Sequence, residues 1–307
     1  MVKNRALIRR QPALRRRAAI LQAIRQFFID HGYLEVETPY RIPAPAPESY
    51  IDAIPSRDWF LHPSPELCMK RLLAAGHEKI FQICRCWRDG ERGTLHIPEF
   101  TLLEWYRANC DYMDLMVECE ALIQWISSRI GLGDEISFRD REIRLSSPWE
   151  RFSVEEVFKR FARVSMKTAL ENGRFDEVMV QEIEPHLGVE KPTFIYDFPA
   201  ERGALAHLKS ENPALAERFE LYIGGLELAN AFSELIDPVE QRKRFHSEEA
   251  FRRSMNKPPY PVPEKFLAEL EGMPPSAGIA LGVDRMVMVF LDAKTIDEVV
   301  AFTPEEL

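Results

Sequence analysis

The sequence predicts an α+β domain in which helices surround an antiparallel sheet. Residues 79–88 and 98–107 both have strand character and are joined by a polar loop, which indicates a hairpin. Residues 217–223 and 226–235 flank a Gly-Gly pair, a second strong hairpin signal. Neither a GxGxxG nor a GxxxxGK(S/T) loop occurs, so a parallel nucleotide-binding sheet is not indicated.

The first third of the chain is predicted to contain a long helix and a loop. Apolar residues recur on one face over residues 12–31, where Pro12 suits the first turn of a helix and Gly32 suits its end. Residues 41–58 are rich in proline and predict a loop that could cover a site. Strands are also predicted over residues 34–37 and 59–62, and a helix over residues 64–73.

The remainder is predicted to complete one domain that spans residues 1–307. Residues from about 131 to 192 are expected to form a small helical insertion, with short helices near 154–161, 167–170 and 175–186. Helices are predicted over residues 112–130, 238–256, 264–271 and 284–291, and strands over residues 193–198 and 278–282.

Composition excludes several classes of protein. With 46% hydrophobic and 29% charged residues among 307, the chain has the composition of a globular domain. No apolar run approaches the ~20 residues that span a bilayer, and the basic N-terminus lacks the apolar core of a signal sequence. No membrane association and a cytoplasmic location are therefore expected. The net charge of −9 is unlike that of a strong nucleic-acid binder.

Two features leave alternatives open. The basic residues near the N-terminus, Lys3 to Arg17, form either a solvated tail and helix face or a docking patch for an acidic macromolecule. The five cysteines include no CxxC pair. Cys84 and Cys86 share a strand face, but no second ligand pair accompanies them, so we interpret them as reduced, half-buried thiols rather than a zinc site.

The hairpin at residues 79–107 carries the pattern most suggestive of chemistry. Strand side chains alternate between faces, so Phe100, Glu104 and Tyr106 point the same way. Arg88 stands at the end of the facing strand, and His96 lies in the loop. A structural hairpin does not need a carboxylate in that row. A site that stacks a base, binds an ammonium group and neutralises phosphate needs all of these groups.

The segment IPEFTLLEWYR, residues 97–107, resembles motif 2 of the class II aminoacyl-tRNA synthetases. Its form is that of the lysyl-tRNA synthetases and of their shorter paralogues, the elongation factor P (R)-β-lysine ligases. The helix, glycine and strand before Thr38 and Pro39 resemble motif 1, and GIALGVDRMVM, residues 278–288, resembles motif 3. The resemblance covers essentially the whole chain. It implies a class II synthetase catalytic core, a homodimer built through motif 1, and no anticodon-binding domain.

The resemblance implies that ATP and Mg²⁺ take part in the reaction. Arg88 would bridge the α-phosphate and the substrate carboxylate, and Arg285 would lie over the phosphates, so both are expected to be catalytic. Phe100 would stack on adenine. The other expected ATP contacts are His96, Glu227, Leu228, Asn230 and Gly282, and the expected metal ligands are Glu227 and Glu234.

The resemblance also implies a site for lysine or (R)-β-lysine. The residues expected to bind this substrate are Ser64, Glu66, Glu104, Tyr106, Glu234 and Ala280. A regular strand would place Glu227 on the opposite face from Asn230 and Glu234. Either an irregularity therefore interrupts the strand, or Glu227 serves a different part of the site.

The chain departs from the family pattern in three places. Gly90 stands where motif 2 usually has glutamate, a role that Glu91 or Asp89 could take. Ile97 replaces the asparagine of the motif 2 loop. Ala280 replaces the glycine of the tRNA enzymes, and the elongation factor P ligases have alanine there.

The leading hypothesis is an ATP-dependent ligase. It would form a lysyl- or (R)-β-lysyl-adenylate and transfer the aminoacyl group to a lysine of elongation factor P, and tRNA is not expected as the acceptor. One alternative is a truncated lysyl-tRNA synthetase that charges tRNA. Another is a catalytically inactive, synthetase-like binding protein, which Gly90 and Ile97 would favour. An enzyme that releases a free small-molecule product, as asparagine synthetase of the same fold does, is a further alternative.

Overall fold

The computed structural model describes residues 5–203 and 205–307. Its α-helices are α1 (Arg5–Asp30), α2 (Glu66–Ala74), α3 (Tyr112–Arg129), α4 (Val154–Phe161), α5 (Met166–Glu171), α6 (Phe175–Val178), α7 (Pro238–Ser254), α8 (Glu264–Glu269) and α9 (Val283–Leu291). Within these described ranges, no helix combines the length and the apolar character that crossing a membrane requires.

Strands make up the other regular elements. They are β1 (Leu34–Glu35), β2 (Arg41–Ile42), β3 (Pro55–Ser56), β4 (Trp59–Leu61), β5 (Lys79–Trp87), β6 (Glu99–Ala108), β7 (Glu135–Phe138), β8 (Arg141–Arg144), β9 (Glu150–Ser153), β10 (Thr193–Pro199), β11 (Leu208–Lys209), β12 (Asn212–Ile223), β13 (Leu226–Ser233) and β14 (Ser276–Gly282).

One large sheet organises the domain. In the described residues it has nine strands in the order β1-β5-β6-β14-β13-β12-β10-β9, with β11 beside β12. The central pairs are antiparallel, and the pairs β1/β5 and β9/β10 at the edges are parallel. Helices α1, α3 and α9 cover one face, and α2, α7 and α8 pack against part of the other. The prediction of an α+β fold around an antiparallel sheet is confirmed.

The predicted hairpin is formed by β5 and β6, which pair from Lys79 opposite Arg107 to Trp87 opposite Glu99. The alternation divides its side chains between two environments. Leu103 and Trp105 are fully buried against the helices, in the same core as Phe28 of α1. The opposite face of the hairpin therefore carries the side chains of Phe100, Glu104 and Tyr106.

A buried ion pair ties α1 to this hairpin and to α9. The Arg17 guanidinium lies 2.6 Å from Asp284 and donates to the Thr101 hydroxyl at 2.7 Å. Asp284 in turn accepts the Thr101 backbone N–H at 2.6 Å. Asp284, which sits next to Arg285 in motif 3, therefore has a structural role.

The long N-terminal helix corrects one prediction. It was expected to begin near Pro12, but helix already extends back to Arg5, so Pro12 lies inside it. Proline removes a single hydrogen bond there. Ile20, Ile24 and Phe28, which follow it, are fully buried and stabilise the helix. Gly32, with φ of +75°, follows the helix end as predicted.

The expected helical insertion is only partly helical. Before Val154, residues 131–192 form the β7–β8 hairpin and β9, which joins the large sheet. These strands were missed because each is only four residues long, too short for alternation to be distinctive. After that point α4 has the predicted bounds, and α6 is continued by irregular helical turns to His186.

Gly278 allows two functional side chains to pack closely. It faces Tyr106 across the β6–β14 pair. A Cβ atom added at this position would lie 2.2 Å from the Tyr106 ring and 2.5 Å from Oε1 of Glu234. A side chain at residue 278 would therefore displace both.

We predict that Gly278→Ala lowers the free energy of unfolding by ~1–3 kcal/mol, because the added methyl group overpacks the contact between Tyr106 and Glu234. Gly272→Ala is the matched control, since the nearest neighbour of its added methyl is 3.5 Å away. Denaturant unfolding of both variants measures the difference. Equal stability of the two variants would contradict the packing described.

Candidate active site

A cavity of about 270 Å³ lies over the exposed face of strands β6, β14 and β13. Carboxylates gather at one end and basic groups at the other. Every site residue predicted from the sequence except Glu234 lines it: Ser64, Glu66, Arg88, His96, Phe100, Glu104, Tyr106, Glu227, Leu228, Asn230, Ala280, Gly282 and Arg285.

The floor of the cavity is a row of side chains across neighbouring strands. Glu104 of β6 is paired with Ala280 of β14, and Ala280 is paired with Asn230 of β13. Directly opposed residues share one face of a sheet. The Ala280 methyl therefore lies between the Glu104 carboxylate and the Asn230 amide, where its size shapes the floor.

The expected irregularity in β13 is present. Leu221 of β12 pairs with Ala229, but the next residue, Tyr222, pairs with Glu227, so that Leu228 is an extra residue. Such a bulge reverses the alternation of faces. It brings Glu227 to the same side as Asn230, and both line the cavity.

Glu104 is held by two hydroxyl groups. The Ser64 hydroxyl donates to one carboxylate oxygen at 2.5 Å, and the Tyr106 hydroxyl donates to the other at 2.8 Å. The residue is only 1% exposed. Burial, followed by the charge of Glu66, raises the pKa of Glu104 well above its ordinary value. A cationic ligand would relieve that destabilisation of the ionised form.

Lys70 is a central residue of the site that the sequence interpretation missed. Its ammonium group lies 2.5 Å from Glu66 and 2.5 Å from Glu234, and its side chain is 1% exposed. Burial lowers the pKa of Lys70, but the two carboxylates outweigh this and raise it overall. The four-residue spacing of Glu66 and Lys70 at the start of a helix was the available signal.

Glu234 lies behind the cavity wall rather than in it. Its side chain is fully buried, and Oε1, which lies beside Gly278, has no hydrogen-bond partner in the described chain. Burial, opposed by Lys70, raises the pKa of Glu234 to about 8. An orphaned buried carboxylate oxygen of this kind is suited to a cation.

Glu227 and Glu234 differ in their surroundings. Glu227 lines the cavity, whereas Glu234 pairs with Lys70. The assignment of Glu234 as a metal ligand stays a prediction from the sequence.

Basic groups gather at the other end of the cavity. Arg285 donates to the Glu227 carbonyl at 2.9 Å and contacts the His96 ring. Burial and then the charge of Arg285 lower the pKa of His96, which favours the neutral form of the ring. The Arg88 guanidinium lies 5.0 Å over the Phe100 ring, and its Nε is buried without a partner in the described residues. These donors suit an anion.

The departures from the family pattern have distinct places in the structure. Glu91 lines the cavity with its carboxylate 3.8 Å from Arg88, whereas Asp89 is exposed outside the cavity lining. Of the two, Glu91 is therefore positioned for the role lost at Gly90. Ile97 is 4% exposed and packs in the main core. Isoleucine in place of asparagine therefore removes a polar group from the loop and adds an apolar side chain to the core.

The proline-rich segment supplies a carboxylate that no sequence signal marked. Glu48 and Ile51 line the cavity, in accord with the expectation that this loop covers a site. The buried Arg252 of α7 fixes the loop by donating to the Glu48 carbonyl at 2.9 Å and the Ile51 carbonyl at 3.0 Å. Burial, followed by the charge of Glu66, raises the pKa of Glu48 to about 7.

Glu227 fits the requirements of a magnesium ligand. Its carboxylate lines the cavity at the basic end and its side chain is 37% exposed. Magnesium commonly takes one or two carboxylates together with phosphate oxygens and water. Glu220 lies nearby on β12, where burial, opposed by Arg218, raises the pKa of Glu220 to about 7.

Comparisons with known proteins agree with this arrangement. Residues 4–306 match the family model described as tRNA synthetases class II (D, K and N). The chain is 40% identical over 314 residues to the elongation factor P–(R)-β-lysine ligase of Edwardsiella ictaluri, with 94% of each chain covered. It is 40% identical over 310 residues to the ligase of the same name from Pectobacterium carotovorum, with 95% of each covered.

We predict that Lys70→Met lowers the free energy of unfolding by ~3–5 kcal/mol, because Glu66 and Glu234 lose the buried cation that compensates them. Lys159→Met is the matched control. Lys159 makes an ion pair with Glu155 at the same four-residue spacing, but its side chain is 69% exposed. It should change stability little. Similar small losses in both variants, measured by denaturant unfolding at pH 7, would contradict the role given to Lys70.

Proposed function

The chain belongs to the class II tRNA synthetases of the D, K and N type, and we propose that it is the ATP-dependent ligase that joins (R)-β-lysine to elongation factor P. One observation carries the proposal: a single cavity has buried carboxylates at one end and two arginines at the other. Relatives about 40% identical over 94–95% of the chain bear this name.

The acidic end suits a substrate with two ammonium groups. Glu66, Glu104 and Glu234 provide three carboxylates, against the one ammonium group of Lys70. When ionised, the two carboxylates in excess match the α- or β-amino group and the distal amino group of lysine or (R)-β-lysine. Because these groups are buried, the discrimination against uncharged side chains should be large.

The basic end suits activation of that substrate by ATP. A carboxylate oxygen of the amino acid attacks the α-phosphorus, and pyrophosphate leaves. Arg88 would hold the α-phosphate and the attacking carboxylate through its planar fork, which has an unpartnered Nε. Arg285 would lie over the phosphates, and Phe100 would stack on adenine. The protein thus works by positioning and by neutralising charge.

Other residues would complete the nucleotide site. Glu227 would hold Mg²⁺, which when bound neutralises charge on the phosphates. The lowered pKa of His96 favours the neutral ring, which can accept or donate a hydrogen bond without adding repulsion against Arg285. Asn230 and Gly282 line the same part of the cavity.

The second step transfers the acyl group. The neutral amine of a lysine on elongation factor P attacks the acyl carbonyl, AMP leaves with the electrons of the acyl–oxygen bond, and the amine loses a proton. Ala280 supports this product over aminoacyl-tRNA, since its methyl group fills part of the floor beside Glu104. One methyl group contributes ~1–3 kcal/mol of discrimination.

The assembly proposed for the enzyme is a homodimer through the segment that resembles motif 1. Large apolar side chains on that segment are exposed in the single chain, namely Ile29 at 56% and Leu34 at 51%. A dimer would cover them, and sedimentation equilibrium distinguishes it from a monomer. A cytoplasmic location stays a prediction from the sequence.

Mass spectrometry of elongation factor P tests the function. The factor is incubated with the enzyme, ATP and either α-lysine or (R)-β-lysine, and tRNA charging is assayed in parallel. We expect one lysine-residue mass increment on elongation factor P, formed faster with (R)-β-lysine, and no charged tRNA.

Two variants sharpen this test. Arg88→Ala should reduce the rate by ~10²-fold or more, because it removes a charge contact to the reacting groups. Arg85→Ala is the matched control from the same strand, since its side chain is 47% exposed and is not part of the cavity lining. Labelled tRNA with unlabelled elongation factor P, or no product from either isomer, would refute the proposal.

A further inference from the structure

A buried cluster of two cysteines and a histidine lies beside the cavity, and no step proposed above uses it. His62, Cys84 and Cys86 each offer one ligand atom, and these atoms lie within 4.8 Å of one another. His62 and Cys86 are 0% exposed and Cys84 is 4% exposed. The expectation of half-buried thiols was therefore wrong for this pair.

Backbone pairing fixes the three residues in place. Cys84 and Cys86 are two positions apart on β5, so their side chains share a face. His62 follows β4, where its N–H donates to the Tyr40 carbonyl at 2.9 Å and its own carbonyl accepts from Trp87 at 3.1 Å. The ligand atoms thus come from rigid, hydrogen-bonded segments rather than from a loose loop.

The spacing of the sulfurs suits a tetrahedral ion. With metal–sulfur bonds of ~2.3 Å, two thiolates on a tetrahedral zinc ion lie about 3.8 Å apart. The sulfurs of Cys84 and Cys86 are 3.8 Å apart. The distance between the two sulfur ligands is therefore already that of a tetrahedral zinc site.

The histidine has an unused nitrogen. Its Nε2 lies 2.7 Å from the Arg85 carbonyl, a hydrogen bond that sets the ring tautomer as in many metal-bound histidines. Its Nδ1 is buried and has no hydrogen-bond partner in the part of the chain that the structure describes. A buried lone pair without a donor is costly unless a cation satisfies it.

We propose that His62, Cys84 and Cys86 bind a thiophilic d¹⁰ cation, for which Zn²⁺ is the probe. Each thiol releases its proton to solvent as its sulfur binds the metal. Thiolate and imidazole ligands select such ions over Mg²⁺, so the site is chemically distinct from the one at Glu227. The sequence argued against zinc because no second cysteine pair occurs, but the third ligand is a histidine from another strand.

The ion would hold in place the segments that carry active-site residues. His62 is two residues before Ser64, at the acidic end of the cavity, and Cys86 is two residues before Arg88, at the basic end. Leu102 packs with both cysteines and also lines the cavity. A metal at this point would therefore join the segments that hold the two ends of the substrate.

The test uses tag-free, full-length protein, stripped of metal under reducing conditions and titrated with Zn²⁺ or Co²⁺. Metal analysis should find about one Zn²⁺ per chain after desalting. The Co²⁺ form should show the thiolate-to-cobalt charge-transfer band in the near ultraviolet and the visible bands of a tetrahedral ion. This spectrum of the unmodified protein decides the question even if a variant fails to fold.

Variants assign the ligands. Cys86→Ser and His62→Gln should each lose at least ~10-fold in Zn²⁺ affinity, the size of loss seen when a metal site is disturbed. Cys68→Ser, which changes a half-buried free cysteine elsewhere, should bind as the unmodified protein does. A cobalt spectrum without thiolate charge transfer, or undiminished binding by Cys86→Ser, would overturn the proposal and assign any bound metal to the carboxylates of the cavity.

Discussion

Lys70, Glu66 and Glu234 form a buried ion cluster that fixes the acidic end of the site. It joins the start of α2 to the end of β13 beneath the cavity. A charge in such a place must be compensated, and one ammonium group cannot compensate the two carboxylates and Glu104 as well. In the free protein the ionised forms of the excess carboxylates are therefore destabilised, and a cationic ligand relieves this destabilisation.

Neighbouring residues are arranged around this cluster. Gly278 has no side chain, which leaves room for Tyr106 and Glu234 side by side. Tyr106 and Ser64 then use their hydroxyl groups to hold Glu104. The carboxylates are therefore fixed before a ligand binds, and binding need not order them.

The opposite charges at the two ends of the cavity explain how one small site can hold reactants that differ so much. In the proposed reaction, an amino acid with two ammonium groups would bind at the acidic end, and a nucleoside triphosphate would bind at the arginines. The carboxylate of the amino acid and the α-phosphate would then meet between them, near Arg88. Pre-organised charges of this kind need little rearrangement during the reaction.

Much of the fold could be predicted because strands and turns follow from local patterns in the sequence. Alternation and turns located β5, β6 and the β12–β13 pair, and the conflict of faces at Glu227 even indicated the bulge at Leu228. Contacts between distant segments were not predictable. Glu48 reaches the cavity only because Arg252 holds its loop, and His62 meets Cys86 only through strand pairing. Lys70 is the exception, since its spacing from Glu66 was visible.

Proton release on substrate binding would reveal the excess of buried carboxylates in the site. In the free protein the pKa of Glu234 is raised to about 8 and that of Glu104 is raised well above its ordinary value, chiefly by burial. Glu234 therefore holds a proton near pH 7 in the free protein, and the ammonium groups of the substrate should displace it. Affinity should then rise with pH up to about pH 8, the pKa of Glu234.

Isothermal titration calorimetry of (R)-β-lysine at pH 7, in buffers that differ in ionisation enthalpy, measures this release. The structure predicts net release of protons, which Glu234→Gln should reduce. Proton uptake, or no proton exchange in any buffer, would contradict a site built on excess buried carboxylates.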